Sequence, residues 1–407
     1  MKRLLFIGIL VLTRFTLTGQ ITTGELTGAD LNTIQTAVPF LTIAPDARAA
    51  GMGDVGAASK PDMHSQHWNV AKLAFIENKV GISFSHTPWL NNLISGINLE
   101  YLAGYYRIDK KNTVSGSFRY FSLGTITYAI SGGVVTGHYR PREFAFDAGY
   151  SRLFSEHFSG GIVLRTIYSD LISGQITASG SETNAGTSVA GDLGIYYQND
   201  LQAGTKGAQW ALGALISNAG TPVSYTMDAD PAPIPTNLRI GGRFELDFNE
   251  NHSISLNTDM NKLLVPTPPV YVTDTATGGY VVLRGKAPPE SILAGMFQSF
   301  SDAPGIQQPD GSYSILLEEL YEISYGFGIE YNFKDLLAVR TGYFHEHATK
   351  GNRKYFTTGI CVRNPVFSLE ASYLAPTNGR NSPLANTFRI TFTTRWGSNS
   401  KDLTPPE

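Results

Sequence analysis

"FAFDAGYSR", residues 144–152, decides how this chain folds. Phe144, Phe146, Ala148 and Tyr150 fall on one side of an extended backbone, and Ala145, Asp147, Gly149 and Ser151 on the other. A period of two is the signature of a strand with two different faces. A strand in a soluble sandwich also alternates, but its polar face carries many Lys and Glu. Here the non-aromatic face holds small residues and a single carboxylate.

The same alternation recurs on both sides. "VGISFSH" (80–86) sets Val80, Ile82 and Phe84 against Gly81, Ser83 and Ser85. "VAGDLGIYYQ" (189–198) sets Leu193, Ile195 and Tyr197 against Asp192, Gly194 and Tyr196, and "TFRITFTTRW" (387–396) sets Phe388, Ile390 and Phe392 against Arg389, Thr391 and Thr393. Aromatic doublets recur at Tyr105–Tyr106, Tyr120–Phe121, Tyr196–Tyr197, Tyr343–Phe344 and Tyr355–Phe356. Each gives one ring to whichever face looks outward, as the aromatic girdles of membrane barrels require.

Candidate strands lie at 80–86, 97–108, 113–122, 143–152, 158–168, 188–198, 208–217, 237–248, 252–260, 320–333, 336–346, 354–363, 366–374 and 386–396. These fourteen form an even set, as bacterial barrels have, with both ends of the barrel chain in the periplasm. The connections agree. "DKKN", "FSEH", "NDLQAGTKG", "NEN", "FKD" and "NP" make short polar inner turns, and the outer connections 87–96, 123–142, 169–187, 218–236, 261–319, 347–353 and 375–385 are mostly longer. A further apolar run, "SILAGMFQSF" (291–300), spaces Leu293, Phe297 and Phe300 at i, i+4 and i+7, so it is expected to be a helix in the long outer segment. The predicted architecture is all-β: a fourteen-stranded transmembrane barrel over 78–396, with a periplasmic tail at 397–407.

Composition fits. Of 407 residues only 16% are charged, with 20 Tyr, 22 Phe and 42 Gly, against roughly 25% charged in soluble domains. A net charge of −3 gives no electrostatic footprint for nucleic acid. The single cysteine, Cys361, excludes an internal disulfide and any thiolate metal cluster. "MKRLLFIGILVLTRFTLTGQ" (1–20) has a basic start and an apolar core of secretory length. Beyond it no run reaches the roughly 18 apolar residues of a membrane helix.

"GMGDVG" (51–56) has the G-x-G-x-x-G spacing of a dinucleotide fingerprint, with Glu77 about 20 residues on. That motif needs a buried strand before it and a helix after it. "FLTIAPDARAA" leads in with Pro45, Asp46 and Arg48, and "AASKPDMHSQHWN" leads out with Pro61 and no helical spacing. No cofactor is expected. Residues 21–77 instead read as a plug or hatch in the lumen. Gly51, Gly53 and Gly56 would allow tight packing on the inner wall, and Trp68 and Asn69 would pack with them. Asp46, Arg48 and Asp54 are expected to pair with lumen charges such as Arg119, Asp147 or Glu330.

Catalytic and metal signals are thin. His64 and His67 in "HSQHW" lack a third ligand at suitable spacing, and His345 and His347 in "FHEH" read as a loop rim. There is no G-x-S-x-G elbow. His157 and Ser159 are two apart on one strand face, a pattern short enough to arise by chance. Neither an enzyme nor a metal site is expected. The outer segment 261–319 is too apolar for a disordered tail, and a connection of this length is normally functional or disordered. The candidate partner contacts are the outer-loop residues Trp89, Leu90, Tyr139, Arg140, Tyr271, Met296 and Phe297.

"LNTIQTAVPFLTIAPDARAAGMGDVGAASKPDMHSQHWNVAKLAF" (31–75) closely resembles the PorV family of the Bacteroidetes type IX secretion system. So do "SHTPWLNNL", "YFSLGTIT", "NKLLVPTPP", "GMFQSFSDAPG", "GYFHEHATKGNRKYFTTG" and "SPLANTFRITF". "DARAAGMGDVG" alone would indicate only the wider group of FadL-like barrels. Asn69-Val70-Ala71 stands where the family has Asn-Pro-Ala. The resemblance implies a fourteen-stranded outer-membrane barrel with a non-enzymatic role: receiving secreted cargo by its C-terminal signal domain at a SprA/Sov-type translocon barrel and passing it to a PorU-containing attachment complex. Outer-membrane lipid and LPS are the implied surroundings. Some PorV-like proteins are linked to lipid A deacylation as LptO. A FadL-type channel for hydrophobic small molecules is the other reading.

Overall fold

The computed structural model describes residues 32–397 apart from 91–95, 130–134, 177–179, 204–205, 227–229, 276, 378–383 and 386. The expected signal peptide, the start of the plug and all of the tail beyond 397 lie outside the described residues.

Fourteen strands close one antiparallel barrel. They are β1 (Val80–Pro88), β2 (Ile97–Arg107), β3 (Asn112–Leu123), β4 (Arg142–Leu153), β5 (Phe158–Asp170), β6 (Gly186–Ala203) and β7 (Lys206–Gly220). The second half is β8 (Asn237–Asn249), β9 (His252–Leu263), β10 (Ser324–Phe333), β11 (Leu337–His345), β12 (Lys354–Arg363), β13 (Phe367–Pro376) and β14 (Thr387–Trp396). Each pairs with its neighbour in sequence, and β1 closes on β14 with Phe84 opposite Phe392. The barrel sheet has no unpaired edge, so its backbone polar groups are satisfied within the wall, as a bilayer demands. Among the described residues no helix is long and apolar enough to cross a membrane.

The alternation read from sequence sets the faces. Ile82, Phe84, Phe146, Leu193, Ile195, Phe388 and Ile390 point outward, while Ser83, Ser85, Asp147, Asp192, Arg389 and Thr391 are buried inside. The doublets split as expected: Tyr105 and Tyr355 are buried while Tyr106 and Phe356 are exposed. This is an outer-membrane barrel with an apolar outer belt and a polar, charged lumen.

Two local features depart from the sequence reading. The strand expected at 320–333 begins only at Ser324, because a helix, Ile315–Tyr321, precedes it. Its Ser314 cap accepts from the Leu317 N–H at 3.3 Å, satisfying one of the donors a helix start leaves free. Outer connections also fold back on themselves, as Ile126–Ala129 paired with Val135–Tyr139 and Val270–Thr273 paired with Tyr280–Arg284. The expected helix appears as Ile292–Gln298.

Candidate functional site: the lumen and the outer face

Residues 32–77 thread the lumen from the outer mouth to the inner end. At the top, Asn32 Nδ2 donates to the Pro268 carbonyl and to Glu318 Oε1, each at 3.2 Å. Below it, Phe40 stacks on Phe121 with ring centroids 6.1 Å apart, inside an apolar cluster with Leu41, Ile97 and Leu99. At the bottom, the Lys79 N–H donates to the Gly397 carbonyl.

The middle of the segment is held by side chains that the sequence had singled out. Asp46 caps the short helix Ala47–Ala50 by accepting from the Ala49 N–H at 2.9 Å, and its other oxygen accepts from Trp68 Nε1 at 2.5 Å. Arg48 presents a fork to Glu330 of β10, at 3.1 and 3.0 Å, and also reaches Asp62 at 2.8 Å. Asp54 accepts from the Tyr355 hydroxyl at 2.5 Å. The Gly56 N–H donates to Asp259 Oδ2 at 2.8 Å. Arg239 lies 4.5 Å over the Trp68 ring. Asn69 donates to the Ala57 and Ile195 carbonyls at 3.1 and 2.9 Å, tying the segment to itself and to β6.

All three fingerprint glycines are needed for close approach, and at Gly56 a Cβ would run into the Trp68 ring. Gly53 has φ +73°, and a Cβ there would lie 2.7 Å from the Tyr343 carbonyl oxygen and 2.8 Å from that of Phe327. Gly51 packs on Gly359, where a Cβ would meet the Gly359 Cα at 3.1 Å. The backbone itself rests against the wall here, so the G-x-G-x-x-G spacing has a steric cause.

Of the expected charge pairs, only Arg48 with Glu330 forms. Asp147 is instead clamped by Arg165 at 2.7 Å, directly across the β4–β5 pairing, and Arg165 bridges on to Asp192 at 3.0 Å. Arg119 donates to the Leu41 carbonyl at 2.8 Å and meets His67 Nδ1 at 2.7 Å, so it faces neither Asp46 nor Asp54. The lumen charges had partners among themselves and in the segment's backbone. Lys72 was missed: it is fully buried, with its ammonium donating to the Gly56 carbonyl at 2.6 Å and Ser59 Oγ at 2.9 Å.

The histidine pairs do not converge. His64 lies 3.8 Å from Asp46 and 3.9 Å from Asp62, while His67 turns to Arg119. His345 ends β11, and His347 leaves the strand to stack on Tyr321 at 3.5 Å. His157 stands in an exposed turn against the Gln198 carbonyl, whereas the Ser159 hydroxyl faces inward and donates to the Ala71 carbonyl at 2.7 Å.

Outside, the connection between β9 and β10 forms a cap. Its base is an ion-pair network in which Lys262 contacts Glu319 and Glu322 at 2.9 and 2.6 Å, and Lys350 contacts Glu318 and Glu322 at 2.7 and 3.0 Å. The sequence reading had overlooked these charges. Asp302 sits beside them. Burial raises its carboxyl pKa; the Thr267 N–H partly offsets this, and the neighbouring Glu319 and Glu322 add to it, so the group is pushed up to about 6.

The top of the cap is apolar. Phe297 is 78% and Leu293 66% exposed; Tyr271 is also exposed, and Met296 is half-buried. The other candidate contacts differ. Trp89 and Leu90 turn inward onto the cluster around Phe40, Tyr139 hydrogen-bonds Asp170, and Arg140 is exposed. At the outer mouth, beside the luminal segment, lies a cavity of about 340 Å³ with a mixed lining that includes Ile34, Leu41 and Phe344 but also Asp54, Arg239, Glu346, Lys350 and Arg353.

Among curated proteins, none matches this sequence. Similar solved structures include the toluene transporter TbuX of Ralstonia pickettii, at 12% identity and TM-score 0.43, covering 86% of this chain and 98% of that one. The toluene transporter TodX of Pseudomonas putida matches at 12% and 0.43, covering 89% and 98%. A FadL homologue of Pseudomonas aeruginosa matches at 9% and 0.41, covering 90% and 99%. The family model for the type IX secretion system protein PorV matches residues 27–270, more than half of the chain. With a closed fourteen-stranded barrel around a threaded lumen, this chain belongs to the PorV family of type IX secretion proteins.

Proposed function

We propose that this barrel is the outer-membrane receptor and shuttle of its secretion system. It receives cargo by the C-terminal signal domain at a SprA/Sov-type translocon barrel and delivers it to a PorU-containing attachment complex. The observation that carries this reading is the cap, which holds Leu293 and Phe297 in the open on a base fixed by ion pairs. Soluble and extracellular surfaces rarely keep such apolar patches uncovered, and a protein partner is their usual cover. Lipid contacts only the outward belt, and residues 32–77 act as a plug that keeps the lumen from being an open pore. No catalytic step is part of the proposal, since Ser159 spends its hydroxyl on a backbone carbonyl and has no histidine beside it.

The test is isolation of the native complex from outer membranes. Co-recovery of a much larger barrel together with signal-bearing cargo supports the shuttle, and recovery of the barrel alone at native abundance counts against it. A second reading is a FadL-type channel for hydrophobic small molecules, although the cavity at the outer mouth offers it a mixed lining, with Asp54, Arg239, Lys350 and Arg353 beside Ile34, Leu41 and Phe344. It requires uptake of such a molecule to fall when the barrel is deleted and secretion to continue.

A further inference from the structure

We infer that residues 32–37 form a strap displayed at the cell surface, which couples the cap to the luminal segment. Three observations place it. Asn32 is bonded to the cap at Pro268 and Glu318, and the Ala37 N–H donates to the Pro233 carbonyl of the β7–β8 outer connection at 2.8 Å. Gln35, between them, is exposed. The order of contacts down the lumen then leaves one route for the chain: outer mouth first, inner end at Lys79 last.

The junction below the strap is built under tension. Val38 has φ +49° and is completely buried. A β-branched residue rarely takes this left-handed conformation, because its Cβ crowds the following carbonyl. Such a conformation persists only where both sides of the residue are held. Here one side is the docked strap and the other is Phe40, stacked on Phe121 and gripped through its carbonyl by Arg119. The Glu318 carboxylate that receives Asn32 is also the one that Lys350 ties to the rim. A partner that lifts the cap therefore breaks the Asn32 contacts, and Val38 relaxes by releasing the strap, while Phe40 stays seated.

The test uses single cysteines in full-length protein in intact cells, with the native buried Cys361 changed by Cys361→Ser, and a membrane-impermeant maleimide. Gln35→Cys should react in intact cells, whereas Lys111→Cys, in an inner turn, should react only after the outer membrane is permeabilised. Reaction of Gln35→Cys only after permeabilisation would overturn the placement of the strap. Ala37→Cys should be protected, and adding Asn32→Ala should raise its labelling rate roughly thirtyfold, the factor for losing two net hydrogen bonds. Heat-modifiable gel mobility should stay unchanged throughout. An unchanged Ala37→Cys rate would overturn the coupling, and so would a rise matched at Cys361 in the native background, which would mean general loosening.

Discussion

Arg48 and Glu330 are joined by a two-pronged contact, at 3.1 and 3.0 Å, between a segment that threads the lumen and the wall around it. Glu330 is buried and also holds Arg340 at 2.6 Å, and Arg340 in turn holds Glu370 at 2.6 Å. The segment is thus wired into a chain of alternating charge along the inner wall. Removing one partner of a buried pair costs about 3–5 kcal/mol, because the other charge is left desolvated. Glu330 keeps Arg340, so Arg48→Ala is expected at the low end of that range. The readouts are a lower melting temperature of the purified barrel and higher sensitivity of cells to antibiotics the outer membrane excludes. Arg48→Lys should restore only part of the loss, since an ammonium cannot make the planar fork.

Gly53→Val should be more damaging still. The site needs φ +73° and leaves no room for a Cβ against two wall carbonyls. Backbone strain of about 1–3 kcal/mol adds to overpacking of about 1–3 kcal/mol. Reduced yield of heat-modifiable barrel would show it. Normal yield with normal melting would mean that the luminal backbone can back away from β10 and β11.

Ser159→Ala tests the absence of a catalytic serine. The change removes one hydrogen bond to the Ala71 carbonyl, worth about 1 kcal/mol net. Secretion and the acyl pattern of lipid A should both be unchanged. A changed acyl pattern with secretion intact would revive a deacylase role for this barrel.

The cap should tighten as the outside turns mildly acidic. Asp302 is pushed up to about 6 when the cap is folded, above the roughly 3.9 of a free aspartate. A raised carboxyl pKa means that the folded cap binds the proton more tightly than the open one. The cap is therefore penalised above about 6 and gains stability as pH falls below it, with the full gain present once pH is under the open-state value. Protease cleavage within 264–323 should slow between pH 7.5 and pH 5, and Asp302→Asn should be slow at both. Faster cleavage at the lower pH would reverse the sign and place the dominant titration elsewhere in the network.

The wall was legible in the sequence because lipid outside and packed lumen inside impose a strict period of two on every strand. Phe144 to Ser151 states that contrast within eight residues, and the even count follows from repeating it. The luminal segment was legible only in part. Gly51 and Gly53 announce a close approach, but what they approach, Gly359 and Tyr343, lies some three hundred residues away in sequence. The Arg48 pairing could be guessed because Glu330 is an inward-facing carboxylate, whereas Asp147 went to Arg165 for a reason that only strand register supplies. The last two residues of the helix before β10 were read as strand because Leu320 and Tyr321 extend the apolar pattern of the strand that follows. The route of residues 32–37 to the outer mouth rests on the Asn32 side chain and one backbone hydrogen bond at Ala37, and left no pattern in residue type.

Phe297→Ala should separate folding from partner capture. The ring is 78% exposed at the end of the helix Ile292–Gln298, so its removal leaves no cavity and frees no buried polar group. Barrel yield and heat-modifiability should match the parent. Aromatic side chains at the centre of a contact are its usual anchors, and truncating one typically costs about 2 kcal/mol or more. At about 1.4 kcal/mol per factor of ten, that is a roughly thirtyfold loss of affinity. Co-purification of translocon and cargo with the barrel should fall accordingly, while Glu182→Ala, exposed on a different outer connection, serves as the surface control. If Phe297→Ala captured both partners at parental levels, the apolar top of the cap would not be the contact, and the docking surface would have to be sought on the outward strand faces instead.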